Sequence, residues 1–482
     1  MLTNVTQYLQ YAAARCPDKI AFRDASRQVS FSQLARQSRA LASAIAAAVG
    51  GQKCRPVAVY LPKGVDCIIA FFAAAYSGNF YTPLDTTMPR ERLRSIMETL
   101  RPAAIITDRT HYEAATEVAA DAAVVDLEDL RDGTIDDGVL DRIRRTMIDT
   151  DPLYVMFTSG STGDPKGVMI SHAAAWNTVA DMNARFGVSA ADRVLGVAQL
   201  GFDLSVFDVF GMLGCGGSLV VVSEEDVRDA QAWARLCDRH RVTVWNSVPM
   251  LLEMLLAARQ QRPLPEDLRL ALVSGDWAAV DLPARLRAAS DDRCRLQVLG
   301  GATEAAIWSN FFPGDRVQPG WPAIPYGRPL RGQRFRVVND TGEDCPDWIA
   351  GELWIGGAGV AVGYRGDEEL TADRFVRTGA DRWYRTGDRG RYWPDGTLEL
   401  LGRVDTQVKI RGHRIELGEI EAALESAPQV HQAVVVAPGT RTNRRLVGFI
   451  APASAEPGRV KEHLSRRLAP YAIPAVIVPV DE

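Results

Sequence analysis

The stretch Leu153-Tyr154-Val155-Met156-Phe157-Thr158-Ser159-Gly160-Ser161-Thr162-Gly163-Asp164-Pro165-Lys166-Gly167 decides how the rest of this chain is read. Its first five residues form an apolar run that reads as a buried strand. The ten that follow combine the hydroxyls of Thr158, Ser159, Ser161 and Thr162 with three glycines and one lysine. Glycines let the backbone approach an anion, hydroxyls and exposed N–H groups donate to it, and Lys166 adds a counter-charge. The spacing is not a Walker A loop, which needs Gly, four residues, then Gly-Lys-Ser/Thr. By composition alone the stretch also fits a surface linker. The strand before it and the Pro-Lys-Gly at its end favour a polyphosphate cradle.

Working outward, strand-like runs at 57–61, 103–107, 194–197, 218–222, 242–245, 270–274 and 296–299 alternate with helical stretches at 66–76, 226–240 and 282–289. That alternation predicts a layered α/β fold. From Gly332 to about Leu401 short β-type segments are separated by Gly, Asp and Pro, which reads as a β region. After Arg403 a small α+β unit is predicted: helices at 417–425 and 460–468, strands at 432–436, 446–450 and 476–480. The division expected is a large core over 1–404, with its β region at about 332–402, and a small unit over 405–482.

At 482 residues the chain is too long for one small core. A net charge of −5 gives no electrostatic footprint for nucleic acid or an anionic membrane. Seven scattered cysteines without a CxxC pair argue against zinc and against a disulfide framework, and suit a reducing cytoplasm. No signal peptide is legible at the start, and the longest strongly apolar run, 68–76, is too short to span a bilayer.

The 158–167 stretch resembles the phosphate loop of the adenylate-forming superfamily, which comprises acyl-CoA ligases, luciferases and the adenylation domains of nonribosomal peptide synthetases. The resemblance continues almost to the last residue. It implies ATP and Mg²⁺ as cofactors, with Thr158, Ser159, Gly160, Ser161, Thr162, Gly163 and Lys166 at the phosphates. Gly300-Gly301-Ala302-Thr303-Glu304 follows a strand. A carboxylate beside a glycine turn suits Mg²⁺ held against phosphates, or equally a helix N-terminus. By resemblance Gly301 and Thr303 contact the nucleotide and Glu304 the metal, and Thr158, Lys166, Thr303 and Glu304 serve the chemistry. The family's segment has an aromatic residue and a proline before Thr-Glu, where Gly300 and Ala302 stand here. In Tyr384-Arg385-Thr386-Gly387-Asp388, Asp388 is implied to take the ribose hydroxyls and Arg403 to support ribose and phosphate. Asp405 is implied as a hinge about which the small unit rotates between an adenylate-forming and a thioester-forming pose. Gln407-Val408-Lys409-Ile410-Arg411-Gly412 would face the site in the second. The segments 351–357 and Gly363-Tyr364 read as structural.

Phe202-Asp203-Leu204-Ser205-Val206-Phe207 discriminates within the family. An aspartate in an apolar run needs a cation or donor. By resemblance to amino-acid-activating domains, Asp203 meets the substrate's α-ammonium. The implied substrate lining is Phe202, Asp203, Leu204, Phe207, Asn246, Leu272, Ser274, Leu299, Ile307 and Trp308. It reads as a small, mostly apolar cup suited to cysteine, and it resembles the pattern of cysteine-activating domains. Serine, alanine and 2-aminobutyrate are the expected leaks. The implied acceptor is the phosphopantetheine thiol of a peptidyl carrier protein. An acyl- or aryl-CoA ligase and a non-catalytic carrier-docking module are the alternatives; Asp203 argues against the first, and the loop, Glu304 and Asp388 together against the second. The family pattern ends on a lysine in a Gly-Lys loop, and no lysine follows Lys461. A chain ending at Glu482 is expected to be slow in the adenylation half-reaction.

Overall fold

The computed structural model describes residues 4–130, 133–160, 164–260, 262–440 and 443–481. Among them, two large sheets form the core. The first has nine strands in the order Arg328–Pro329, Asn310–Pro313, Arg295–Gly300, Leu270–Val273, Val244–Ser247, Arg193–Gly196, Ser218–Val221, Ile20–Arg23, Gln28–Ser30. Its six central strands are parallel, and the strands beyond them antiparallel. The second has seven, in the order Gly363–Tyr364, Lys166–Ser171, Pro152–Thr158, Phe80–Leu84, Pro56–Tyr60, Ala104–Thr107, Ala123–Asp126.

The helix Val65–Tyr76 is buried at every position except Asp66. A helix that is apolar all round must be covered on all sides. One apolar cluster joins it to residues of both sheets, including Val59 and Tyr81 from one and Phe22 and Leu219 from the other. The neighbouring helix Phe31–Ala48 starts at a capping box between Ser30 and Gln33.

The expected strands and helices appear with small shifts at their ends. The helix expected from residue 226 begins at Ala230, because the Asp229 carboxylate accepts from Gln231 N at 2.8 Å and caps it there. Residues 207–211 form a turn of π-helix between Leu204–Val206 and Met212–Cys215. The phosphate-loop candidate connects two antiparallel strands, with Thr158 opposite Lys166, so Lys166 opens a strand.

The β region is an antiparallel sheet of Gln333–Val338, Gly351–Gly357, Asp381–Tyr392 and Phe375–Thr378, with Leu398–Arg403 beside Asp381–Tyr392. A hairpin, Gln407–Ile410 and His413–Glu416, follows. It turns through Arg411 and Gly412, both at positive φ (54° and 81°), as a two-residue hairpin loop requires. The smaller C-terminal domain has its own apolar cluster, including Ile420, Leu424, Ile450 and Leu464. Among the described residues no helix is long and apolar enough to cross a membrane.

Candidate active site

Strand ends and the turns after them bring the predicted residues together. After the strand Arg295–Gly300 the chain turns at Gly301, where a Cβ would lie 2.8 Å from Ile307 O and from Trp308 Cα. It then doubles back through Ala306 and Ile307, both left-handed (φ 56° and 72°). For a β-branched residue that conformation is strained, and such strain concentrates at functional sites. The fold-back is closed by Ser309 N donating to Gly300 O at 2.8 Å. It leaves Glu304 fully buried.

Glu304 is held by three hydrogen bonds from two side chains. Arg414 Nη1 donates to both carboxylate oxygens at 2.9 Å, and Tyr364 Oη donates to Oε1 at 2.9 Å. Burial alone would push this carboxyl up, but Arg414, with Lys166, outweighs it and takes it down to about 2. Tyr364, read from the sequence as structural, therefore also touches the site. Its strand pairs with Val168 and Met169 on the strand that Lys166 opens, which brings the hydroxyl within reach.

Lys166 Nζ lies 3.6 Å from Glu416 Oε1. Burial and then Arg414 push its pKa down. Ser159 Oγ donates to Arg414 O at 2.9 Å, and Thr158 Oγ1 is buried without a partner. Ser161, Thr162 and Gly163 lie outside the described residues. On the far side of the hairpin, Gly412 N donates to Asp276 Oδ2 at 2.8 Å. Arg92 Nη1 and Glu419 Oε1, 2.6 Å apart and both buried, tie the core to the small domain's first helix. The hairpin thus lies against the described part of the loop, at Ser159 and Lys166. A small-domain cation sits on the expected metal carboxylate and a small-domain anion near the expected phosphate lysine.

Asp388 and Arg403 are opposite one another on neighbouring strands. Arg403 donates to Asp388 Oδ1 at 2.8 Å and, through Nε and Nη2, to both oxygens of Asp405 at 2.6 Å. All three line a cavity of about 380 Å³ that also meets Gly275, Tyr326 and Lys409. A carboxylate at the wall of a cavity this size is placed to take a diol.

The substrate candidates form a contiguous cluster. Phe207 and Trp308 are 5.3 Å apart, and Trp308 Nε1 donates to Ser274 Oγ at 2.8 Å. Leu272, Leu299 and Ile307 belong to the same apolar cluster as those two rings. Asn246 Nδ2 donates to Leu204 O at 3.1 Å and to Asp208 Oδ1 at 2.9 Å. Asn246 Oδ1 and Asp208 Oδ2 are left buried without partners. Asp203 is almost fully buried. Burial, against a bond from Thr303, pushes its carboxyl up to about 6. Phe202 differs: its ring meets His413 at 5.4 Å and Tyr471 at 6.5 Å in the small domain.

Arg414, Glu416, Asp208 and Tyr326 were missed as individual residues. Asp208 carried the same signal as Asp203, an acid inside an apolar run. Arg414 and Glu416 carried none, because their partners lie more than 100 residues away.

Glu304 is one hard, ionised oxygen donor, and no cluster of three or more His, Cys, Asp or Glu stands ready for a metal among the described residues. A single carboxylate fits Mg²⁺, which keeps most of its shell as phosphate oxygens and water.

A family model described as AMP-binding enzyme matches residues 9–365, and one described as AMP-binding enzyme C-terminal domain matches residues 419–482. The chain is similar to pyochelin synthetase PchE of Pseudomonas aeruginosa (strain UCBPP-PA14), 48% identical over 426 residues that cover 88% of this chain and 29% of that protein. It spans less than half the length of the curated relatives it matches. Among solved structures it is similar to the nonribosomal peptide synthetase FmoA3, with a TM-score of 0.75 and 34% identity over 83% of this chain and 42% of that one. The Vibrio cholerae adenylation domain AlmE, solved with glycyl-adenosine-5'-phosphate, shares the fold (TM-score 0.87, 24% identity, 100% of this chain and 95% of that one). The chain therefore belongs to the AMP-binding enzyme family: it is an adenylate-forming ligase with relatives among nonribosomal peptide synthetase adenylation domains.

Proposed function

We propose that this chain activates an amino acid, L-cysteine foremost, as the aminoacyl adenylate and passes it to the phosphopantetheine thiol of a peptidyl carrier protein. Asp203 is the observation that carries the reading. Its carboxylate is buried, bonded by Thr303 and Leu204 N, and forms no ion pair within 4 Å among the described residues, with Lys409 acting on it only at longer range. A buried anion needs a cation, and the substrate's α-ammonium supplies one. Fatty and aryl acids do not.

In the first step a carboxylate oxygen of the amino acid attacks the α-phosphorus of ATP. The bond from that phosphorus to the bridging oxygen breaks, and pyrophosphate leaves with the electron pair. The chain contributes positioning and electrostatics. Asp203 anchors the ammonium, Asp388 takes the ribose hydroxyls, and Thr158, Ser159 and Lys166 serve phosphate oxygens. Glu304 would hold Mg²⁺, which neutralises phosphate charge when bound. In the second step the carrier's thiolate attacks the acyl carbonyl carbon and AMP departs. The docked hairpin supports that second step, because it takes up the charges that ATP and its metal would use.

The preference for cysteine is supported by the cup's polar atoms. Ser274 is spent on Trp308, while Asn246 Oδ1 lacks a donor. A small side chain carrying one donor, S–H or O–H, suits it better than an aliphatic of equal size. Equilibrium binding of aminoacyl sulfamoyl adenosines tests this without requiring turnover. The cysteinyl compound should bind tightest, the seryl next, and the 2-aminobutyryl about tenfold or more weaker, equal to about 1.4 kcal/mol. Tighter binding of a salicyl or fatty-acyl analogue would sink the reading.

A further inference from the structure

We infer that the ring of Tyr326 is the surface against which the nucleotide base is held, on the reading that the 380 Å³ cavity takes the adenosine of ATP. Tyr326 lines that cavity together with Asp388 and Arg403. Its phenol lies near enough to Asp388 for the carboxylate to add to burial in raising its pKa. A ribose on Asp388 therefore carries its base toward this ring.

The ring occupies space that residue 300 leaves open. A Cβ at Gly300 would overlap Tyr326 Cε2 and come within 2.9 Å of Cζ. Any side chain at 300 and the ring of 326 compete for one volume, so the missing side chain makes the platform possible. The ring is held in place. Phe335 packs edge-on at 5.8 Å. Asn310, directly opposite Gly300 in the sheet, donates through Nδ2 to Tyr326 O. Among the described residues lining the cavity, Tyr326 and Trp277 are the aromatic ones, and Tyr326 is the one that fills the space at Gly300. A flat ring at a cavity wall stacks a base whatever its hydrogen-bonding edge.

The test separates base from ribose by titrating AMP and ribose 5-phosphate into the chain. Tyr326→Leu should weaken AMP about 10-fold or more, within the range that loss of base stacking gives, and change ribose 5-phosphate less than about twofold. Tyr326→Phe should bind both as the parent does. Gly300→Tyr should lose AMP, because two rings claim one place, and Gly300→Tyr with Tyr326→Ala should regain it to within about fivefold. Unchanged AMP affinity in Tyr326→Leu overturns the inference. So does an equal loss for both ligands, or a double variant no better than Gly300→Tyr alone. A parent that binds AMP tightly yet prefers no aminoacyl analogue would instead overturn the amino-acid reading and leave this one standing.

Discussion

On the proposed reading, Asp203 carries both function and cost. Its carboxyl, raised by burial to about 6 against an ordinary value near 4, is ionised in the free chain only above that pH. Ammonium binding needs the ionised form. We predict that kcat/KM for the amino acid falls as pH drops through about 6, while ATP affinity holds, and that Asp203→Asn removes this limb and costs on the order of 10²-fold. The same shift sets a stability sign. A folded pKa above the unfolded one means the protonated form is favoured on folding, so stability is lost as pH rises from about 4 through 6. Asp203→Asn should therefore melt higher than the parent at pH 7 and at the same temperature at pH 4, by about 1–3 kcal/mol in the first case. An unchanged melting temperature at pH 7 would mean that the carboxylate is better compensated than its surroundings suggest.

At the scale of an element, the hairpin of Gln407–Ile410 and His413–Glu416 acts as a plug made of charges. Arg414 takes Glu304, Glu416 faces Lys166, and Gly412 bonds Asp276. Arg414→Ala leaves Glu304 available to a metal, so apparent Mg·ATP affinity should rise severalfold while transfer to a carrier slows. Calorimetry with Mg·ATP checks the first half. Gly412 offers a cleaner perturbation. Its φ is positive and a Cβ there would lie 2.8 Å from Val248 Cβ. Gly412→Ala should lift the hairpin from the core, and protease sensitivity of the small domain should increase with little change in melting of the core.

At the scale of the molecule, the small domain is held by contacts that a ligand can replace. Its apolar cluster is separate from those of the core, so the rotation proposed for it would open neither. Breaking a buried pair such as Arg92–Glu419 costs about 3–5 kcal/mol when the partner stays buried. On the proposed rotation the domain would swing out and hydrate the freed charge, so the effect should appear in pose and not in stability. We predict that Mg·ATP changes the distance between labels at the exposed positions Ile148 and Val434, and that Arg92→Leu shifts that distance the same way without ligand. Identical distances in all three states would show a rigid arrangement.

Much of this was legible in the chain. The apolar runs marked the strands because a parallel sheet buried on both faces leaves no polar alternation to confuse them. Leu417–Glu425 and Gln432–Val436 appear with the boundaries read from the sequence. Asp203 and Glu304 stood out because acids in apolar or glycine-rich settings require a partner. The partners themselves were not legible. Arg414 reaches Glu304 across 110 residues, and Tyr326 fills the space at Gly300 from a turn beyond the next strand. Local sequence by itself determined the layers, the loop and the charged groups that need ligands, since those follow from periodicity and desolvation. Which cation meets which anion, and whose ring stands in for a missing side chain, only the tertiary structure decided, because proximity across a fold is a property of packing that no local pattern encodes.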